Sequence, residues 1–127
     1  LLSRGLGDVY KRQPGDLLLT TWRGDGHCDH EAAGRACAQA AQARRVQLAE
    51  APVWAWHWAS PDDPRLPWPR AHRLQLCDEH LALKRQALAA HASQLQPDGD
   101  RPPVVPEQLQ ACLLQPFELI FLSTEAT

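Results

Sequence analysis

The sequence predicts an α/β layered fold, on three observations. Apolar runs ending in β-branched or aromatic residues alternate along the chain with Pro-free segments rich in Ala and Leu. Strands that alternate with helices pack as helices against a sheet. The strands are too few for a complete doubly wound domain, and no internal repeat adds to them. The chain therefore reads as the second half of a Rossmann-like layered domain, and its 127 residues fit one small domain or part of a larger one.

The elements follow in order. Leu1 to Gln13 (LLSRGLGDVYKRQ) differs in composition from everything after it, with the only Tyr, Tyr10, and one of the two Lys, Lys11. Its end, GDVYKRQ, resembles the translated adapter sequence found at the ends of assembled metagenomic fragments, so residues 1–13 are expected to be non-native or disordered and to pack on nothing. Asp16 to Trp22 (DLLLTTW) is a continuous apolar run and reads as a buried strand. Arg23 to Cys28 holds two Gly and an Asp and reads as a tight loop. Asp29 to Arg45 is Ala-rich, acidic at its start and basic at its end, which suits a helix and its dipole. Ala32, Ala33, Ala36, Ala40 and Ala43 would form a small-residue face for close packing on the sheet.

Ala51 to Trp58 (APVWAWHW) alternates, with Trp54, Trp56 and Trp58 on one side, and reads as a strand of period 2. Ser60 to Arg70 carries four prolines and is a loop. His72 to Leu76 alternates again and is a short strand. Asp78 to Leu95 is a helix with Asp78 at its N-cap and Leu81, Leu88 and Leu95 along one stripe. Pro106 to Leu114 is a short helix with Pro in its first turn. Phe117 to Leu122 (FELIFL) is the final strand.

Composition bounds the function. Lys and Arg number 13 against 15 Asp and Glu, a net charge of −2, which excludes a bulk basic nucleic-acid binder. No run of 18 apolar residues is present, so no membrane span is expected, and no secretory signal precedes the first strand. The expected location is the cytoplasm, where Cys28, Cys37, Cys77 and Cys112 would be reduced thiols. No two of them form a C-x-x-C pair. The chain has no Met and begins Leu1-Leu2, which reads as a fragment or a processed chain.

The stretch that can carry chemistry is Gly26-His27-Cys28-Asp29-His30. Two His flank a carboxylate where a strand ends and a helix begins, the crevice in which open α/β sheets bind ligands. Neutral imidazole is the commonest zinc ligand, and a second His can act as general acid or hold an oxyanion. An Asp beside it can fix its tautomer. The plainer alternative is a helix start with an Asp cap and two solvated His.

The surrounding residues bear on that choice. Thr20 to Arg35 (TTWRGDGHCDHEAAGR) resembles the second motif of the LmbE-like, or PIG-L, deacetylase family, usually His-Pro-Asp-His followed by a small-residue helix. The resemblance continues in VWAWHW (Val53 to Trp58), KRQALAAHASQL (Lys84 to Leu95) and PFELIFL (Pro116 to Leu122), and so covers nearly all of residues 14–127. It implies a zinc-dependent N-deacetylase acting on an acetylated amino sugar of the N-acetylglucosamine type. By position it implies His30 as a zinc ligand. His27 would stabilise the oxyanion or protonate the leaving amine, and Asp29 would orient His27.

Cys28 stands where the family usually has Pro, and its thiol could compete as a ligand. The family's first motif, His-Pro-Asp-Asp-Glu, supplies two further ligands and the general base, and nothing before His27 matches it. Ser60-Pro61-Asp62-Asp63-Pro64 lies on the wrong side of the second motif and reads as loop. His57 would point opposite the three Trp and line the substrate cleft. His91, with Ser93 and Gln94, would meet substrate at a helix end. His72 and His80 read as surface residues. A metallo-β-lactamase-type hydrolase is the competing enzyme, with Asp25 in the first place of His-x-His-x-Asp-His. A non-catalytic α/β fragment is the reading from another class.

Overall fold

A computed structural model describes residues 17–123. The expectation for residues 1–13 lies outside them. The chain runs β1 (Leu17–Thr21), α1 (Cys28–Arg44), β2 (Gln47–Ala51), α2 (Ala55–Trp58), a 3-10 turn (Trp68–Arg70), β3 (Ala71–Gln75), α3 (Asp78–Ala90), α4 (Ala92–Leu95), α5 (Glu107–Leu113) and β4 (Phe117–Leu122). This is a mixed α/β fold. The four strands form one sheet in the order β1-β2-β4-β3. β1 and β2 are parallel, from Leu17 opposite Gln47 to Thr21 opposite Ala51. β4 runs antiparallel to both of its neighbours, with Glu50 opposite Phe121 on one side and Ala71 opposite Phe121 on the other. None of the described helices is long and apolar enough to cross a membrane, and all four cysteines are free.

α1 follows from local chemistry. His27 is its N-cap, Asp29 and Glu31 lie in its first turn and Arg44 in its last. Arg45 closes it in the left-handed region at φ 55°, its N–H reaching the carbonyls of Ala41 and Gln42. The face it buries is not the expected one. Gly34 and Ala41 are the buried residues, whereas Ala32, Ala33, Ala36 and Ala43 are exposed and Ala40 half-buried. A helix small on every side has no apolar stripe to read, so backbone fit chooses the face. A Cβ at Gly34 would stand 2.7 Å from the Thr21 carbonyl and 2.8 Å from the Arg23 nitrogen, so α1 lies directly on the end of β1.

Between residues 46 and 58 the structure adds one strand that the sequence left unassigned and overturns one expectation. β2, QLAEA, is composed largely of good helix formers and had no strand pattern to announce it. It becomes a strand because β1 and β4 bond it on both sides. Ala51 to Trp58 is not a strand: β2 ends at Ala51 and Ala55–Trp58 is one helical turn. The buried carboxylate that turns this segment is described below.

The remaining differences are smaller. β1 is only partly covered, with Leu17 51% and Leu19 63% exposed. The N-cap of α3 is Cys77 rather than Asp78. The expected helix from Asp78 to Leu95 breaks at His91, whose φ −85° and ψ 54° are not helical, and resumes as α4. Leu81, Leu88 and Leu95 are half-buried, while no residue of α3 is fully buried. Lys84 Nζ ties α3 to β4 through Glu118 Oε1 at 2.5 Å.

The core that positions the site is aromatic. Trp22, Ala55, Leu66 and Phe121 are buried together, with Trp58, Ala59, Ala71 and Leu119 packed on them. Trp22 meets Phe121 edge-on at 5.2 Å and Trp58 at 6.3 Å. These contacts bring the end of β1, α2, the Pro-rich loop and β4 to one place.

Candidate functional site

Asp25 is the hub, and the sequence reading gave it no structural role. It lies in the turn after β1, its N–H on the Trp22 carbonyl at 3.2 Å, and it is wholly buried. Its Oδ1 accepts the backbone N–H groups of Val53 and Ala55, each at 2.9 Å. Its Oδ2 accepts the Trp54 N–H at 2.7 Å and meets His30 Nδ1 at 2.5 Å. Three amide donors at the start of α2 are thus satisfied by one carboxylate, which is why Val53-Trp54-Ala55 curls into a helical turn. Its own carbonyl accepts the Trp58 indole N–H at 2.9 Å. Gly26 follows at φ +81°, where a Cβ would stand 2.9 Å from that indole nitrogen.

The Asp25 carboxylate, surrounded by donors, takes the role of acceptor, so His30 Nδ1 is the donor, and in the neutral ring the lone pair is then on Nε2. A carboxylate behind one ring nitrogen orients and strengthens the other as a metal ligand. The His30 side chain is 24% exposed, and its carbonyl accepts the Thr21 hydroxyl at 2.9 Å, which fixes the first turn of α1 to β1.

His27 has the opposite arrangement. As N-cap of α1 its Nδ1 accepts the Asp29 N–H at 3.3 Å. The neutral ring then carries its proton on Nε2. The two imidazoles stack with centroids 4.4 Å apart and planes 27° from parallel. One presents a lone pair and its neighbour an N–H. Asp29 therefore touches His27 through its backbone, while its Oδ1 accepts the Cys28 thiol at 3.5 Å. One nitrogen of His27, the Cys28 sulfur and one Asp29 oxygen lie within 4.8 Å of one another. In kind, these imidazole, thiol and carboxylate donors fit zinc. Among the described residues, His30 is the histidine with a buried carboxylate hydrogen-bonded to its ring.

His57 sits beside this group, by a different geometry from the one expected. A strand would place it opposite Trp54; the helical turn places it three residues on, over the same indole. The rings lie 4.1 Å apart, and His57 is exposed. Trp54 in turn meets His27 at 5.6 Å with planes 65° apart. His91 is exposed at the break between α3 and α4, and among the described residues no hydrogen bond, ion pair or ring contact joins it to the others. His72 and His80 are exposed.

Two buried carboxylates have other partners. Glu50 of β2 is wholly buried. It takes Arg23 Nε on Oε1 and Arg23 Nη2 on Oε2, both at 2.9 Å, and Arg70 Nη2 on Oε2 at 2.5 Å. Burial pushes the Glu50 carboxyl up, but the Arg23 side-chain and backbone donors and the Arg70 guanidinium outweigh it and hold the carboxyl below 4.5. A Glu inside QLAEA gave no sign of this, because both arginines come from distant segments. Asp63 of the Pro-rich loop is held far below the usual carboxylate range by Arg65, first through its guanidinium and then through its N–H. Its carbonyl accepts the Trp68 indole N–H at 2.8 Å. Asp63 is a loop brace, in keeping with the reading of Ser60 to Pro64 as loop.

Comparison of the chain with protein-family models, with characterised proteins and with solved structures gives no match.

Proposed function

We propose that this chain is the C-terminal part of a zinc-dependent N-deacetylase domain of the LmbE-like type, with Rossmann-like layering, acting in the cytoplasm on an N-acetylglucosamine-type amino-sugar conjugate. The observation that supports it best is the stacked His27–His30 pair with its opposed hydrogen bonding at the carboxyl end of β1.

In this reading His30 Nε2 would hold the metal, with Asp25 fixing the ring that offers it. A bound zinc supplies Lewis acidity and lowers the pKa of an attacking water. His27 Nε2–H faces the developing oxyanion of the amide and then gives its proton to the departing amine. Asp29 contributes to orienting His27 through its N–H, which donates to Nδ1. His57 borders the cleft on the far side of Trp54, where it contacts substrate. His91, at the break between α3 and α4, would contact substrate as the family resemblance implies. The remaining ligands and the general base belong to a His-Pro-Asp-Asp-Glu motif that this chain does not contain. By this reading the 127-residue chain alone is inactive.

The β-lactamase-type alternative needs residue 25 as a ligand. Asp25 is buried and both its oxygens are engaged, which disfavours it. A longer protein carrying this chain together with an upstream His-Pro-Asp-Asp-Glu motif is the test. Zinc content and acetate release from an N-acetylglucosaminyl substrate are measured with and without chelator. Zinc-dependent release is expected; a zinc-free protein, or one inert towards the amide, ends the reading. Equal activity of the 127-residue chain alone would overturn its truncation argument.

A further inference from the structure

We infer that Trp54 is a positioning residue whose indole holds the His27 imidazole in register with the Asp25-bound His30. Its two ends reach different arms of the pair. The backbone N–H of Trp54 and His30 Nδ1 share one acceptor atom, Asp25 Oδ2, at 2.7 and 2.5 Å. The indole ring of Trp54 meets His27 edge-to-face at 5.6 Å. One residue therefore refers the orientation of both histidines to the start of α2.

His27 needs such a hold. Its one ring hydrogen bond, to the Asp29 N–H, is long at 3.3 Å and open to solvent. An exposed bond of that length competes with water and does not by itself fix an imidazole. The His27 ring is instead held between His30, stacked at 4.4 Å, and Trp54. Trp54 is itself flanked from outside by the tilted ring of His57 at 4.1 Å, and its backbone is held by the Asp25 cap on α2. The row His30, His27, Trp54, His57 is thus continuous. With the indole gone, His27 loses its edge contact on that side and can turn, and the preference for its Nε2–H tautomer weakens.

The use of this geometry in catalysis rests on the deacetylase reading; the geometry itself does not, and the experiment separates them. Imidazole ¹⁵N and ¹³C NMR of the metal-free 127-residue chain, at a pH where His27 is neutral, reports its tautomer. Trp54→Phe and Trp54→Leu both keep an apolar side chain beside His27 but differ in whether an aromatic ring remains. The expected result is one tautomer, Nε2–H, in the parent and in Trp54→Phe, and an averaged mixture in Trp54→Leu with unchanged amide signals from the sheet. His57→Ala, which removes the outer support alone, is expected to shift the average part of the way. Equal tautomer populations in the Phe and Leu variants, or an unchanged tautomer in Trp54→Leu, would overturn the inference. Neither result depends on zinc or on activity. In the longer active protein, Trp54→Leu should lower kcat by about 10- to 100-fold with KM little changed, the scale of a misplaced catalytic group. A change in KM alone would make Trp54 a binding residue instead.

Discussion

Asp25 shows how one buried carboxylate can serve structure and site together. Its four partners leave no room for an amide in its place. Asp25→Asn puts an N–H₂ against a donor and should cost about 1–3 kcal/mol, the range for an unsatisfied buried group, read as a lower midpoint in denaturant. The same change should move the His30 proton to Nε2, visible by NMR. In the longer protein His30→Ala should abolish zinc binding. His27→Ala should keep the metal and lower the rate by roughly 10²–10³-fold, as when one oxyanion donor is lost. Glu50 makes a pH prediction. Its folded carboxyl titrates below 4.5, so the unfolded chain binds the extra proton. The stability it contributes is complete above the ordinary carboxyl range and is lost as pH falls through the lower folded value. Glu50→Gln should cost about 1–3 kcal/mol at neutral pH, less than a fully buried pair because the Arg23 and Arg70 side chains are partly exposed. That difference between parent and variant should shrink in melts below pH 4.5.

At the scale of elements, α1 and α2 are set by opposite means. α1 carries its own signals: an N-cap, acidic first turn, basic last turn and left-handed closing residue. Its rotation about its axis is set by contact alone. Gly34 is the point of closest approach to β1, and Gly34→Ala there should destabilise the chain by about 1–3 kcal/mol through overpacking, although Ala is the better helix former. Thermal melts of Gly34→Ala beside Ala36→Gly separate the two effects: the first loses stability by clash, the second only by about 1 kcal/mol of propensity. α2 has no helix signal within its own four residues. Its start is capped by Asp25 from 28 to 30 positions earlier in the chain.

The whole molecule has a small aromatic core placed at one end of the sheet. Trp22, Leu66 and Phe121 come from β1's end, the Pro-rich loop and β4. That packing holds α2 against the Asp25 turn, and so sets where Trp54 and His57 stand relative to the histidine pair. The parallel pair β1–β2 is covered by α1, but Leu17 and Leu19 remain open on β1.

The sequence by itself determined the elements that are locally encoded: β1, α1, β3, α3, α5 and β4, together with the turn from β1 into α1 that places His27 at the N-cap and His30 in the first turn. Their apolar periodicity, caps and turn residues are all written within a few positions of one another. It also singled out the histidine pair, because two imidazoles and a carboxylate at a strand-to-helix turn are a chemical pattern before they are a structure. Only the tertiary structure decided β2, α2 and the partner of each histidine. QLAEA has no strand propensity until two neighbours bond it, and APVWAWHW alternates like a strand until Asp25 takes three of its amide protons. Contacts between residues almost thirty positions apart leave no periodicity for a sequence to display, so the carboxylate that orients His30 and the indole that flanks His27 became visible only when the chain was folded.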